Sequence, residues 1–203
     1  MRYGPEQAEK TKARVVKIAA QQMRKRGPDG VGVADVMSRA GLTHGGFYAH
    51  FESKDDLIAA AVRQMFVDAR ELFRSSTEDK DPVEGLRTYI NSYVSRSHRD
   101  HPERGCAIAA LASDIHRQGR KARSAYDDGV AGLVAKIEGL LPEREGVDRR
   151  RLAVSMIAEM TGAVAAARSV SDPTLSDEIL ASARRSLRAR AGLSPSQHEG
   201  KEP

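Results

Sequence analysis

Apolar residues recur three and four positions apart along almost the whole chain, and no stretch alternates apolar and polar residues long enough to make a convincing strand. The pattern predicts an all-α protein of about nine helices. A first helix over roughly Glu6 to Arg26 carries Val15, Ile18, Ala19 and Met23 on one side and stops at the breaker Gly27-Pro28-Asp29-Gly30. Val33, Val36, Met37 and Ala40 mark a short second helix, after which Gly41 can take positive φ and Thr43 can cap a short third helix through its side-chain oxygen. The fourth shows the cleanest alternation, with Leu57, Ile58, Ala61, Val62, Met65, Phe66, Ala69, Leu72 and Phe73 on one face. Val83, Leu86, Ile90, Tyr93 and Val94 mark a fifth, between polar breaks at Thr77 to Pro82 and His98 to Gly105. Ile108, Leu111, Ala112 and Ile115 predict a short sixth helix. Tyr126, Val130, Leu133, Val134, Ile137 and Leu141 predict a seventh, stopped by Pro142. An eighth runs roughly from Val147 to Val170 and a ninth from Leu175 to Ala191, and a tail from Ser194 reads as disordered.

Two short helices joined by a tight Gly-Leu-Thr turn form a helix-turn-helix, a unit whose second helix enters a DNA major groove. The wording of this segment is specific as well. GLTHGGFYAHFESKDDL closely resembles the signature of the TetR family of bacterial transcriptional regulators, G-[VL]-[ST]-x-x-x-[FL]-Y-x-[HY]-F-x-[ST]-K-x-x-L. The resemblance runs residue by residue from about Val15 to Ile58 and continues beyond as a match of length and helical layout. It implies a DNA-binding domain at residues 1–55, an effector-binding and dimerisation domain at 56–193, and the tail at 194–203. By the same pattern Thr43, His44, Gly46, Tyr48, His50 and Lys54 inherit DNA contact. Gly45 and Gly46 lack side chains and so allow close backbone approach. Phosphate contacts position a protein on DNA and base contacts specify the sequence, and His44 is the candidate for base readout. One departure stands out: Gly32 occupies the place where the family has Ser or Thr, and it has no hydroxyl to offer a phosphate.

Charge supports this reading through its distribution. The chain carries a net +5. Residues 1–55 hold 10 Lys and Arg against 6 Asp and Glu, so nearly all the excess lies with the helix-turn-helix. No run of about 18 apolar residues exists to span a membrane, and the N-terminus lacks a signal peptide's apolar core. A single cysteine cannot form an internal disulfide, which fits a reducing cytoplasm.

For the body, the resemblance implies a small-molecule pocket and a homodimer formed through the last two helices. Met65, Phe66, Tyr89, Tyr93 and Ile108 are candidate lining residues, with plain core as the alternative for each. The small residues Gly162 to Ala167, with Ile179, Leu180, Ala183 and Leu187, suit a subunit contact but could also be buried within one chain. Cys106, following Arg104 and opening an apolar helical run, is a candidate sensor of electrophiles or oxidants, against the alternative of a small buried hydrophobe. The spacing of His98, His101, Cys106 and His116 matches no zinc pattern, and the histidines read as loop residues on a solvated surface, so neither a metal nor another cofactor is expected. The expected function is a DNA-binding repressor released from a palindromic operator by a ligand or redox signal. A non-specific architectural DNA binder and a small helical enzyme are the alternatives, although no phosphate loop, dinucleotide fingerprint, nucleophile elbow or HExxH motif is present.

Overall fold

A computed structural model describes residues 5–193, so the tail from Ser194 lies outside the described residues. Among them the chain forms nine α-helices and three 3-10 segments, with no strand. The α-helices are α1 Pro5–Arg26, α2 Val33–Arg39, α3 Lys54–Thr77, α4 Pro82–Tyr93, α5 Arg96–Asp100, α6 Ala107–Leu111, α7 Arg120–Leu140, α8 Arg149–Ser169 and α9 Pro173–Ala191. The 3-10 segments are His44–Ala49, Pro102–Arg104 and Ile115–Arg117.

Local chemistry accounts for several boundaries. The last turn of α1 closes at Gly27, in the left-handed region at φ 71°, whose N–H donates to the Met23 carbonyl at 2.9 Å. Three helix starts carry an aspartate whose carboxylate accepts orphan N–H groups. Asp81 accepts from Val83 and Glu84, Asp148 from Arg151, and Asp172 from Thr174. Pro82 and Pro173 occupy first-turn positions, where no N–H is missed.

Several expectations need correction. The third helix is a 3-10 segment, since two adjacent glycines in six residues weaken α-helix formation. Thr43 sits at its N-cap position, yet its side chain makes no capping bond. The supposed break at His98 to Gly105 holds the end of α5 and a 3-10 turn, and His98 is buried at 9% exposure rather than solvated. The apolar faces also reach less far than their spacing suggests, because Leu72 and Val83 are more than a third exposed.

Contacts divide the described residues into two compact units, 5–71 with 101–131, and 72–100 with 132–193. The first unit holds the helix-turn-helix. Its core contains Val15, Ala19 and Met23 of α1, Val36 and Met37 of α2, and Leu57, Ala61, Val62 and Met65 of α3. There α1 packs against α2, α6 and the Pro102–Arg104 turn. Arg24 of α1, almost fully buried, ties three segments together. It donates to the Gly105 carbonyl at 2.8 Å, the Asp68 carboxylate at 2.6 Å and the Met65 carbonyl at 3.4 Å. A buried guanidinium is tolerable only when satisfied in this way.

The second unit is built on the packing of α8 against α9. Met156, Met160, Val164, Leu180 and Leu187 fill its interior. Arginines of α9 fasten it to the end of α4: Arg184 donates to the Val94 carbonyl at 2.7 Å and Arg188 to Asn91 Oδ1 at 3.0 Å.

Candidate nucleic-acid interface

The turn of the helix-turn-helix is set by one glycine. Gly41, at φ 71°, lets its own N–H reach the Ser38 carbonyl and the Leu42 N–H reach the Met37 carbonyl, both at 2.9 Å. This pair of bonds is the Schellman closure, and it ends α2 while turning the chain sharply toward Thr43. Any residue with a Cβ at Gly41 would be strained in that backbone region.

Beyond the turn, a short segment is held by its aromatics. Phe47 and Phe51, four residues apart, are 2% and 5% exposed and stack with ring centroids 5.4 Å apart. They anchor the 3-10 segment and push the residues between them outward. Tyr48 stands 71% exposed, with its ring edge against Phe47 at 5.3 Å. Thr43, His44 and Gly45 are exposed, Gly46 and His50 half-buried. His50 closes the segment through its N–H to the Phe47 carbonyl at 2.9 Å and lays its ring against Phe51. A Cβ at Gly45 would meet nothing within 4 Å, and one at Gly46 would make only ordinary contacts with Thr43 and Met37. Neither glycine is required by the chain's own packing.

The next helix begins where a phosphate contact is expected. Lys54 is the first residue of α3 and is exposed. Ser53 Oγ accepts from the Asp56 N–H at 3.1 Å, which satisfies one orphan donor of that first turn. Its remaining N–H groups, the helix dipole and the Lys54 ammonium all favour an anion. Thr43, His44, Gly45, Gly46, Tyr48, His50 and Lys54 therefore occupy one short stretch in which five of the seven are exposed.

Sequence reasoning passed over Asp35, which joins α1 to α2. Its two carboxylate oxygens accept from Gln22 at 2.7 Å and from Arg39 at 2.9 Å. The Asp35–Arg39 pair was readable from its four-residue spacing. The Gln22 contact was not, because it crosses 13 residues and two helices.

The effector candidates are mostly interior. In the first unit Met65, Phe66 and Ile108 are all under 8% exposed, and Phe66 meets Tyr126 edge-on at 5.8 Å. Burial pushes the Tyr126 hydroxyl up to about 12, so it stays protonated. Cys106, 6% exposed, takes the N-cap position of the five-residue α6, and Arg104 is exposed on the preceding turn. In the second unit Tyr89 and Tyr93 are buried; Tyr93 lies 4.7 Å from the His98 ring and within 3.3 Å of the Thr161 hydroxyl.

Comparison with known proteins converges on one group. The family model for bacterial regulatory proteins of the tetR family matches residues 15–61, from the middle of α1 through α2 and the His44–Ala49 segment to the start of α3. The HTH-type transcriptional regulator TtgR of Pseudomonas putida is 28% identical over 176 residues, covering 81% of this chain and 83% of that protein. The HTH-type transcriptional repressor DhaR of a Mycobacterium species is 29% identical over 103 residues, half of each chain. Among solved structures, a TetR transcriptional regulator from Chloroflexus aurantiacus superposes with a TM-score of 0.76 at 27% identity, covering 89% of this chain and 95% of that one. A second, from Cytophaga hutchinsonii, reaches 0.78 at 18% identity over 97% of this chain and all of the other, a likeness of fold alone.

Proposed function

The chain belongs to the TetR family of bacterial regulators, and on that premise we propose that it is a cytoplasmic repressor that binds a palindromic operator as a homodimer and leaves it when an inducer binds. It is a DNA-binding transcriptional regulator and not an enzyme. The observation that carries the operator reading is the outward set Thr43, His44, Gly45 and Tyr48, fixed from behind by buried Phe47 and Phe51 and followed by Lys54 at a helix start. In this reading Tyr48, Thr43, His50 and Lys54 hold phosphates, His44 meets base edges, and Gly45 and Gly46 bring the backbone close to the groove. Selection from a random-sequence duplex pool tests it: a regulator enriches one inverted repeat, whereas an architectural binder enriches none.

The exposed side of α8 supports the dimer. Val154, Ala158, Gly162 and Ala166 follow one another at four-residue steps and are all exposed, while Ala163 and Ala167 are buried in the chain's own core. Leu175, 44% exposed, adds an apolar side chain on α9. Small residues let a second copy of α8 approach closely, and an exposed apolar row of this length favours association.

A small, mostly apolar molecule is the inducer this interior suits best. Met65, Phe66 and Ile108 are the candidate contacts if it binds within the first unit, and Tyr89 and Tyr93 are the separate candidates within the second. The second reading places the signal at Cys106, with Arg104 nearby, through an electrophile or oxidant. Iodoacetamide separates them. Alkylation of the native protein near neutral pH, with loss of DNA binding that Cys106→Ser abolishes, supports the thiol, while alkylation only after denaturation leaves the reversible ligand.

A further inference from the structure

Three acidic side chains crowd the place where a phosphate is expected. Glu52, Asp55 and Asp56 flank Ser53 and Lys54. Left bare, their charge would outweigh Lys54 and the dipole of α3 and repel DNA.

The chain meets them with the start of α7. Lys121 Nζ lies 2.5 Å from Asp56 Oδ1 and 3.8 Å from Glu52 Oε2. Gly119 comes so near that a Cβ there would take the place of the Asp55 carboxylate. That carboxylate therefore sits at the N-terminal end of a 21-residue helix, where orphan N–H groups and the dipole favour an anion. Gln118 adds a bond to Asp29 Oδ1 at 3.2 Å. Arg120 and Arg123, both exposed, bring further positive charge to the same turn. The Asp56 carboxyl is held below the usual carboxylate range, chiefly by its hydrogen bond to Lys121, and the same bond raises the Lys121 ammonium. Every group in this cluster lies in the first unit.

We propose that the first turn of α7 is an electrostatic part of the DNA interface: it neutralises Glu52, Asp55 and Asp56, leaves Lys54 to face the phosphate, and weakens DNA binding when it withdraws. Lys121 and Gly119 are positioning residues in this scheme and need not touch DNA. The proposal rests on the reading of the α3 start as a phosphate seat, and it makes withdrawal of α7 a route by which a signal in the body releases the operator.

Binding of the full-length protein to the duplex it enriches from a random pool, followed by fluorescence anisotropy at fixed moderate salt, tests this. Lys121→Ala and Lys121→Gln should each bind roughly tenfold more weakly, as expected for one uncovered carboxylate a few ångströms from a phosphate. Asp56→Asn alone should bind as tightly as the parent or tighter. The double variant Asp56→Asn/Lys121→Ala should return to within about threefold of the parent, because the charge that needed cover is gone. Circular dichroism should show the same helix content throughout. If Asp56→Asn weakens binding as much as Lys121→Ala, and the double variant is no better, the pair is a structural tie or Lys121 itself touches DNA, and the proposal is overturned. Lys54→Ala on the same duplex separates the two readings. Unchanged affinity there removes the phosphate seat itself, whereas weakened binding by Lys54→Ala with none by Lys121→Ala removes only the role of α7.

Discussion

Single side chains divide cleanly into those that hold the helix-turn-helix and those that face away from it. The four-residue spacing of Phe47 and Phe51 marked them as core and left Tyr48 outside, and the structure places all three accordingly. Tyr48→Phe and Lys54→Ala should leave the fold intact and weaken binding to every DNA sequence alike, by roughly tenfold each, with a shallower salt dependence. Anisotropy titrations over a range of salt check this, and unchanged affinity for both variants would remove the two assignments. His98 was not legible. Its neighbours in sequence are polar, and only the tertiary fold shows that it is buried, with Nδ1 2.7 Å from the Tyr93 carbonyl. Burial lowers its pKa to about 4 from an ordinary 6.5. The folded state then binds fewer protons than the unfolded one between those values. The stability His98 contributes is complete above about pH 6.5 and is lost as pH falls toward about 4, by at most about 3 kcal/mol. Urea midpoints measured at pH 7 and pH 4.5 should diverge less for His98→Gln than for the parent; equal divergence would contradict the assignment.

Elements were readable wherever a long amphipathic run met a breaker, as in α1, α3, α7 and α9, because burial of one face and a cap or glycine at the end are both written locally. The 3-10 segment His44–Ala49 was harder. Its position was plain from Gly41 and Thr43, but the cost of its two glycines to an α-helix does not say which geometry replaces it. The same limit applied to α8, where small residues lie on both sides and composition could not say which side is covered. The structure separates Ala163, 8% exposed, from exposed Ala166. Ala166→Glu should therefore give a folded monomer, with a carboxylate left unpaired at the proposed subunit contact. Ala163→Glu should instead destabilise the chain itself, by about 3 kcal/mol or more. Sedimentation for the first variant and thermal melting for the second decide the matter. A parent protein that sediments as a monomer at micromolar concentration would remove the dimer from the account.

For the whole molecule the helix-turn-helix was the most legible part, since a short motif fixes its turn, its anchors and its exposed row together. The effector side was less so, because a pocket is made by residues distant in sequence whose apolar character is the same whether they line a cavity or fill a core. In the proposed dimer, two heads related by twofold symmetry would read two half-sites about 34–36 Å apart, or a multiple of that distance. Linking the heads raises the affinity far above that of one head, since the second binding event is intramolecular. The most direct test of this account is the duplex the full-length protein enriches from a random-sequence pool, sequenced and then titrated at near-physiological salt. The account predicts one inverted repeat with that half-site spacing, bound about a thousandfold or more tighter than random duplex. A flat pool, with equal affinity for every sequence, would contradict it.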